Sequence, residues 1–167
     1  MNHTSFEERE HCQELLKQFH TAMLVTHAGD ERLRARPMAI AEVMDDGRVW
    51  FITAAESAKA HEISRDTRVH IVCQHDRSTY LSISGRASLV HDRAKVAALW
   101  REPFRVWFPE GKDDPNITLI EVRPEEGEFW DSEGLNKIKY LFRAAKAYAI
   151  GVTPEIDEGT QHGRVRL

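Results

Sequence analysis

The first apolar pattern in the chain has helical spacing: Leu15, Leu16 and Phe19 fall on one face of a polar segment. Ser5-Phe6-Glu7-Glu8 ahead of it has the form of a capping box, so a helix is expected over residues 6–19. Beyond that point the period shortens. Ala22-Met23-Leu24-Val25-Thr26 is a compact apolar run, and Ala28-Gly29-Asp30 reads as the turn that ends it. Residues 34–43 read as its partner strand. Pro37 restricts that strand to a sheet edge or a bulge, because proline has no N–H to offer a second neighbour. Asp45-Asp46-Gly47 is a hairpin turn into Arg48-Val49-Trp50-Phe51-Ile52-Thr53, and a short helix is expected over residues 57–65.

The second half repeats the theme. Val69-His70-Ile71-Val72-Cys73 reads as a strand. In residues 80–90, Leu81, Ile83 and Gly85 alternate with Ser82, Ser84 and Arg86, which marks one buried and one polar face. A helix over residues 92–100 has Asp92 as its N-cap, and residues 109–116 form an irregular loop. Strands are expected at 117–122 and 127–130, an amphipathic helix at 136–148, and a polar tail over 153–167. Six or seven short strands joined by hairpin turns, with helices at both ends and between, predict a mainly β (α+β) antiparallel barrel with peripheral helices. There is no internal repeat or low-complexity linker, so the 167 residues are read as one domain, 1–167.

Composition narrows the class without changing this picture. Charged residues make up 30% and hydrophobic residues 41%, as in ordinary soluble domains. The net charge of −4 disfavours a non-specific nucleic-acid binder. No apolar run approaches the roughly 20 residues of a membrane helix, and the polar, acidic start does not resemble a secretory signal. Cys12 and Cys73 lack metal-ligand spacing and read as buried or inert thiols in a reducing cytoplasm rather than as a disulfide. The histidines show no paired zinc spacing, and Asp113-Asp114-Pro115 has too few regular oxygen ligands for calcium, so no metal is assigned.

The chemistry concentrates between residues 36 and 59. Arg36 and Lys59 supply two cations, Thr53 and Ser57 two hydroxyls, and residue 57 stands where a helix begins. A helix start offers free N–H groups and the positive end of a dipole, and an arginine fork suits two phosphate oxygens. These residues describe a candidate anion site, and they also fit a capped surface helix with solvated charges. Trp107, Trp130 and Tyr80 are large aromatics suited to stacking on a ring or lining an interface, or to ordinary packing. His61 stands beside Lys59 and reads as a solvated histidine before it reads as a phosphate ligand.

Several stretches, in order, carry a resemblance: Arg36-Pro37-Met38, Phe51-Ile52-Thr53 with Ser57-Ala58-Lys59, and Tyr80-Leu81-Ser82-Ile83-Ser84-Gly85. Trp107-Phe108-Pro109-Glu110-Gly111, Asp113-Asp114-Pro115, Glu128-Phe129-Trp130-Asp131 and Gln161-His162-Gly163-Arg164-Val165 follow them. Together they resemble the pyridoxamine phosphate oxidase-like, FMN-binding split-barrel superfamily, and within it the bacterial general stress proteins. The resemblance implies a split antiparallel barrel, a homodimer, and FMN (or FAD) in a groove between the subunits. It implies phosphate contacts from Arg36, Thr53, Ser57 and Lys59, backbone around Pro37 and Met38 facing the ring, and Trp130 in the flavin-facing region. Gln161 departs from the acidic residue expected there.

The function so implied is an FMN-binding general stress protein with a flavin-dependent oxidoreductase role on an unspecified substrate. A non-catalytic flavin carrier or sensor is the alternative. A true pyridoxamine phosphate oxidase ranks below both, because its Arg-x-Glu-rich ending is missing, and a haem-degrading barrel lacks an obvious axial histidine. There is no Gly-x-Ser-x-Gly elbow, so redox chemistry would belong to the cofactor.

Overall fold

Among the described residues eight antiparallel strands form one sheet in the order β2-β1-β5-β6-β7-β4-β3, with β8 paired to β7. The strands are β1 (Thr21–His27), β2 (Leu33–Ala39), β3 (Glu42–Val43), β4 (Val49–Ala54), β5 (Arg68–His75), β6 (Thr79–Val90), β7 (Ile117–Asp131) and β8 (His162–Arg166). Among the described residues three α-helices accompany them: α1 (His3–Gln18), α2 (Ala58–Arg65) and α3 (Arg93–Leu99). The structure, a computed structural model, describes residues 3–75, 79–131 and 162–167. The expected helix at 136–148 and the Gln161 position lie outside them. Among the described residues no helix is long and apolar enough to cross a membrane.

The two ends of the strand order are neighbours in the chain. β2 and β3 are separated only by Ile40 and Ala41, where the backbone changes partner: the Ile40 N–H donates to the His20 carbonyl and the Ala41 N–H to that of Trp50. One continuous strand at 34–43 was the sequence expectation. The chain divides it because these two residues carry it from β1 to β4, and that transfer curls the sheet into a split barrel. Pro37 sits on β2, an edge strand, opposite Met23, so its missing N–H costs no ladder bond. At the β3–β4 hairpin Gly47 adopts φ 85°, a conformation that costs glycine nothing.

β7 also departs from expectation. The sequence expectation was two strands, at 117–122 and 127–130. Instead one strand runs through, and a register shift opposite Ser84 and Gly85 absorbs the proline. Gly85 is required there, since a Cβ would stand 2.3 Å from the Arg123 carbonyl oxygen. The second half of β7 pairs with β8, whose Val165 is buried, so the polar tail contributes a strand that its composition does not announce.

Two apolar clusters hold the sheet. Inside the barrel, Leu24, Phe51, Ile71, Ile83, Ile120 and Phe129 pack with Leu15 and Leu16 of α1 and with Phe19 just beyond it. Outside, Trp50, Ile52 and Leu119 pack with Val96 and Leu99 of α3 and with Phe104 and Phe108. β4 is therefore buried on both faces, which explains its nearly unbroken apolar run. Cys12 and Cys73 are free and buried in the inner cluster, and burial pushes their thiols up to about 11 and about 12. Both stay protonated and unreactive at neutral pH.

Candidate functional site

A cavity of about 340 Å³ opens where the edge strand β2, the end of β4 and the start of α2 meet the irregular segment after α3. Arg36, Pro37, Met38, Thr53 and Lys59 line it, together with Phe104, Trp107 and Phe108. The chain thus brings five of the expected site residues to one place. Ser57 joins them indirectly. It is the N-cap of α2, accepting a hydrogen bond from the Ala60 N–H at 3.4 Å, and its hydroxyl stands 3.3 Å from that of Thr53. Capping fixes the entry angle of the helix and hence the position of Lys59 at its second residue.

The two cations differ in their surroundings. Lys59 makes no hydrogen bond or ion pair within the described residues. Burial holds its ammonium below the ordinary lysine range, Arg36 adds to that effect, and Glu62 opposes it. Arg36 is anchored. Its Nη2 donates to Glu62 Oε2 at 2.8 Å, and its Nη1 donates to Thr26 Oγ1 and to the Leu24 carbonyl. A guanidinium has five N–H donors, so two remain for a ligand. Glu62 also receives the Thr26 hydroxyl at 2.6 Å and Arg34 Nη1 at 2.9 Å. Burial pushes the Glu62 carboxyl up, but Thr26, Arg36 and Arg34 outweigh it and keep the group an anion below the usual carboxylate range. Three cations and one carboxylate leave the cluster two positive charges, close to the −1.5 to −2 of a phosphate monoester.

Sequence reading missed Glu62, Thr26 and Arg34. The one local signal was an acid a helical turn beyond Lys59, and nothing in the chain says that it faces an arginine 26 residues upstream. The aromatic wall was partly foreseen: Trp107, 66% exposed, stands at the rim beside Phe104 and Phe108. His61 is exposed, 3.7 Å from Glu56, and does not line the cavity. Asp113-Asp114-Pro115 belongs to a turn in which the Asp114 carboxylate accepts the Asn116 N–H at 2.9 Å.

Trp130 stands elsewhere. It lies twelve positions beyond Thr118, the partner of Thr53, on β7, opposite Tyr80. It is 39% exposed on the outward face of the sheet and does not fill the barrel core.

The comparisons with known proteins agree with this architecture. The family profile described as pyridoxamine 5'-phosphate oxidase like matches residues 7–155. General stress protein 26 of Bacillus subtilis (strain 168) is 32% identical over 82 residues, which span 47% of this chain and 58% of that protein. A structure from Jannaschia sp. CCS1 assigned to general stress protein 26 superposes with a TM-score of 0.73 over 98% of this chain and 99% of that one, at 24% identity. The general stress FMN/FAD binding protein of Xanthomonas citri superposes with a TM-score of 0.65, at 30% identity, over 77% of this chain and 92% of that one.

Proposed function

Since the chain belongs to the pyridoxamine 5'-phosphate oxidase-like family, we propose that it is a flavin-binding general stress protein that takes FMN, with FAD as the alternative, and serves as a flavin-dependent oxidoreductase. The observation that carries this reading is the cavity, whose lining combines Arg36, Lys59 and Thr53 with Phe104, Trp107 and Phe108. That donor set fits a flavin mononucleotide. The cations and hydroxyls suit its phosphate, the aromatic wall suits its ring, and the volume falls within the roughly 300–1,000 Å³ of small-molecule sites. The Xanthomonas citri relative, described as FMN/FAD binding, supports the same reading.

When bound, the flavin supplies hydride and electron transfer. The chain's own part is narrower. Lys59 and Arg36 neutralise the phosphate, and Thr53 adds a hydroxyl donor. Phe104 and Phe108, both buried, exclude water from one side of the cavity. Protein mixed with FMN and then desalted is expected to keep the flavin absorption bands; loss of all chromophore on desalting overturns the reading. Consumption of NAD(P)H in the presence of FMN assigns the oxidoreductase role, and retained FMN without consumption assigns a carrier or sensor.

A homodimer completes this proposal. Met23, Val72, Tyr80 and Trp130 are each 39–40% exposed, and strand pairing puts them on one outward face with Pro37, which also lines the cavity. A two-fold contact through this face would cover the apolar stripe and bring Trp130 of one copy toward the cavity of the other. Light scattering at micromolar concentration is expected to give twice the chain mass of 19.2 kDa. Bound-flavin fluorescence should be quenched and should recover in Trp130→Leu, with affinity falling several-fold, because stacking and burial of one aromatic are worth about 1–2 kcal/mol. A monomer that binds FMN tightly, or quenching unchanged in Trp130→Leu, contradicts the arrangement.

A further inference from the structure

We infer that Glu62 is a positioning residue of the anion site: its carboxylate holds the Arg36 guanidinium in the pose that leaves two N–H groups for a phosphate monoester. The identity of that monoester as a flavin phosphate rests on the function proposed above; the geometry of the clamp does not.

The clamp is set by strand register. Leu24 faces Arg36 and Thr26 faces Arg34 across the β1–β2 pair, so both arginines and the threonine share the face that meets α2. Glu62, 7% exposed on α2, closes the set. Its Oε2 accepts from Thr26 and Arg36, and its Oε1 accepts from Arg34. Arg36 is thereby held on three atoms, namely Glu62 Oε2, Thr26 Oγ1 and the Leu24 carbonyl oxygen. A long side chain at a sheet edge would otherwise have to be ordered when the ligand arrives, at a cost in affinity. Lys59, one helical turn before Glu62, gains as well, because Glu62 is the negative charge that offsets the repulsion from Arg36.

Two views of Glu62 make opposite forecasts. Coulomb's law alone says that removing a carboxylate beside an anion site tightens anion binding. Positioning says that binding weakens, because Arg36 swings free and the ammonium of Lys59 becomes harder to keep charged. The charged groups that bear on Lys59 are Arg36 from β2 and Glu62 from its own helix; Arg34 is paired with Glu62, and Arg105, in the segment across the cavity, with Glu102.

The experiment compares wild type with Glu62→Gln, using FMN, riboflavin and inorganic phosphate as probes. The Lys59 ε-carbon NMR resonance reports both phosphate binding and the lysine titration. Glu62→Gln is expected to weaken FMN and inorganic phosphate about ten-fold, as for loss of one charge-assisted contact, and to leave riboflavin within about two-fold. Its Lys59 midpoint should move to lower pH. A merely structural role would loosen the site and let that midpoint rise toward the ordinary lysine value. FMN and phosphate bound equally or more tightly by Glu62→Gln, or a midpoint that rises or stays, overturns the inference. If wild type shows no preference for FMN over riboflavin, the flavin-phosphate assignment fails, and the inorganic phosphate titration still decides the role of Glu62. Should Glu62→Gln not fold, Thr26→Val, which removes the hydroxyl between Glu62 and Arg36, carries the same expectations for the ligands.

Discussion

Replacing Lys59 or Arg36 by alanine is expected to weaken FMN binding ten-fold or more and riboflavin binding far less. Each charge-assisted hydrogen bond to a phosphate is worth about 1.5–3 kcal/mol, and riboflavin has no phosphate to lose. The two variants should part company in stability. Arg36→Ala removes a donor from the buried Glu62 carboxylate and should destabilise the fold. Lys59→Ala removes an ammonium whose burial works against its charge, so it should be neutral or stabilising. A pH series adds a sign. Burial holds the lysine below its ordinary range in the free protein, and a bound phosphate raises it again. FMN affinity should therefore be full at neutral pH and fall as pH rises through the lowered Lys59 value, and Lys59→Ala should lack this alkaline limb. Isothermal titration of FMN and riboflavin against both variants checks the pattern; equal losses for the two ligands would sink the phosphate assignment.

Phe51→Ala is expected to cost about 3–5 kcal/mol, the range for truncating a fully buried phenylalanine. Phe51 is 0% exposed at the centre of β4 and faces the inner cluster, while its neighbours Trp50 and Ile52 face the outer one. The strand cannot tilt to fill the cavity from one side without disturbing packing on the other. For a domain of this size the melting temperature should fall by roughly 10 °C, since each kcal/mol shifts it by about 2–4 °C. Urea unfolding followed by tryptophan fluorescence gives the free-energy difference. A loss below about 1 kcal/mol would mean that β4 is not the doubly buried strand described above. Because β4 carries Thr53 to the cavity, FMN affinity measured well below the melting transition reports whether the site depends on that packing.

Local patterns in the chain were legible wherever one residue decides a conformation. Pro37 on an edge strand, Gly47 in a hairpin, Ser57 and Asp92 as helix caps and the alternation of residues 80–90 all stand in the structure as the sequence indicates. The same holds for the grouping of Arg36, Thr53 and Lys59, because a strand, a turn and a helix start place them within one short stretch of chain. What was misread follows a different rule. Residues 34–43 read as one strand and residues 117–122 and 127–130 as two, yet the structure divides the first at Ile40 and Ala41 and joins the others through Pro124. Which residues end a strand there depends on the partner each backbone N–H finds: His20 lies 20 residues before Ile40, Trp50 stands across the next hairpin from Ala41, and Ser84–Gly85 lie about 40 residues before Pro124. β8 is the extreme instance, since its pairing with β7 spans more than 30 residues and its composition is polar.

The site divides in the same way. By itself the sequence determined which groups carry charge, which helix is capped and which strands are apolar, because these are properties of residues and their near neighbours. Only the tertiary structure decided that Glu62 meets Arg36, that Phe104, Trp107 and Phe108 wall the cavity, and that Trp130 faces outward instead of into it. Strand register sets these meetings. A one-residue slip would turn every side chain to the other face, and no local pattern records which register the whole sheet prefers.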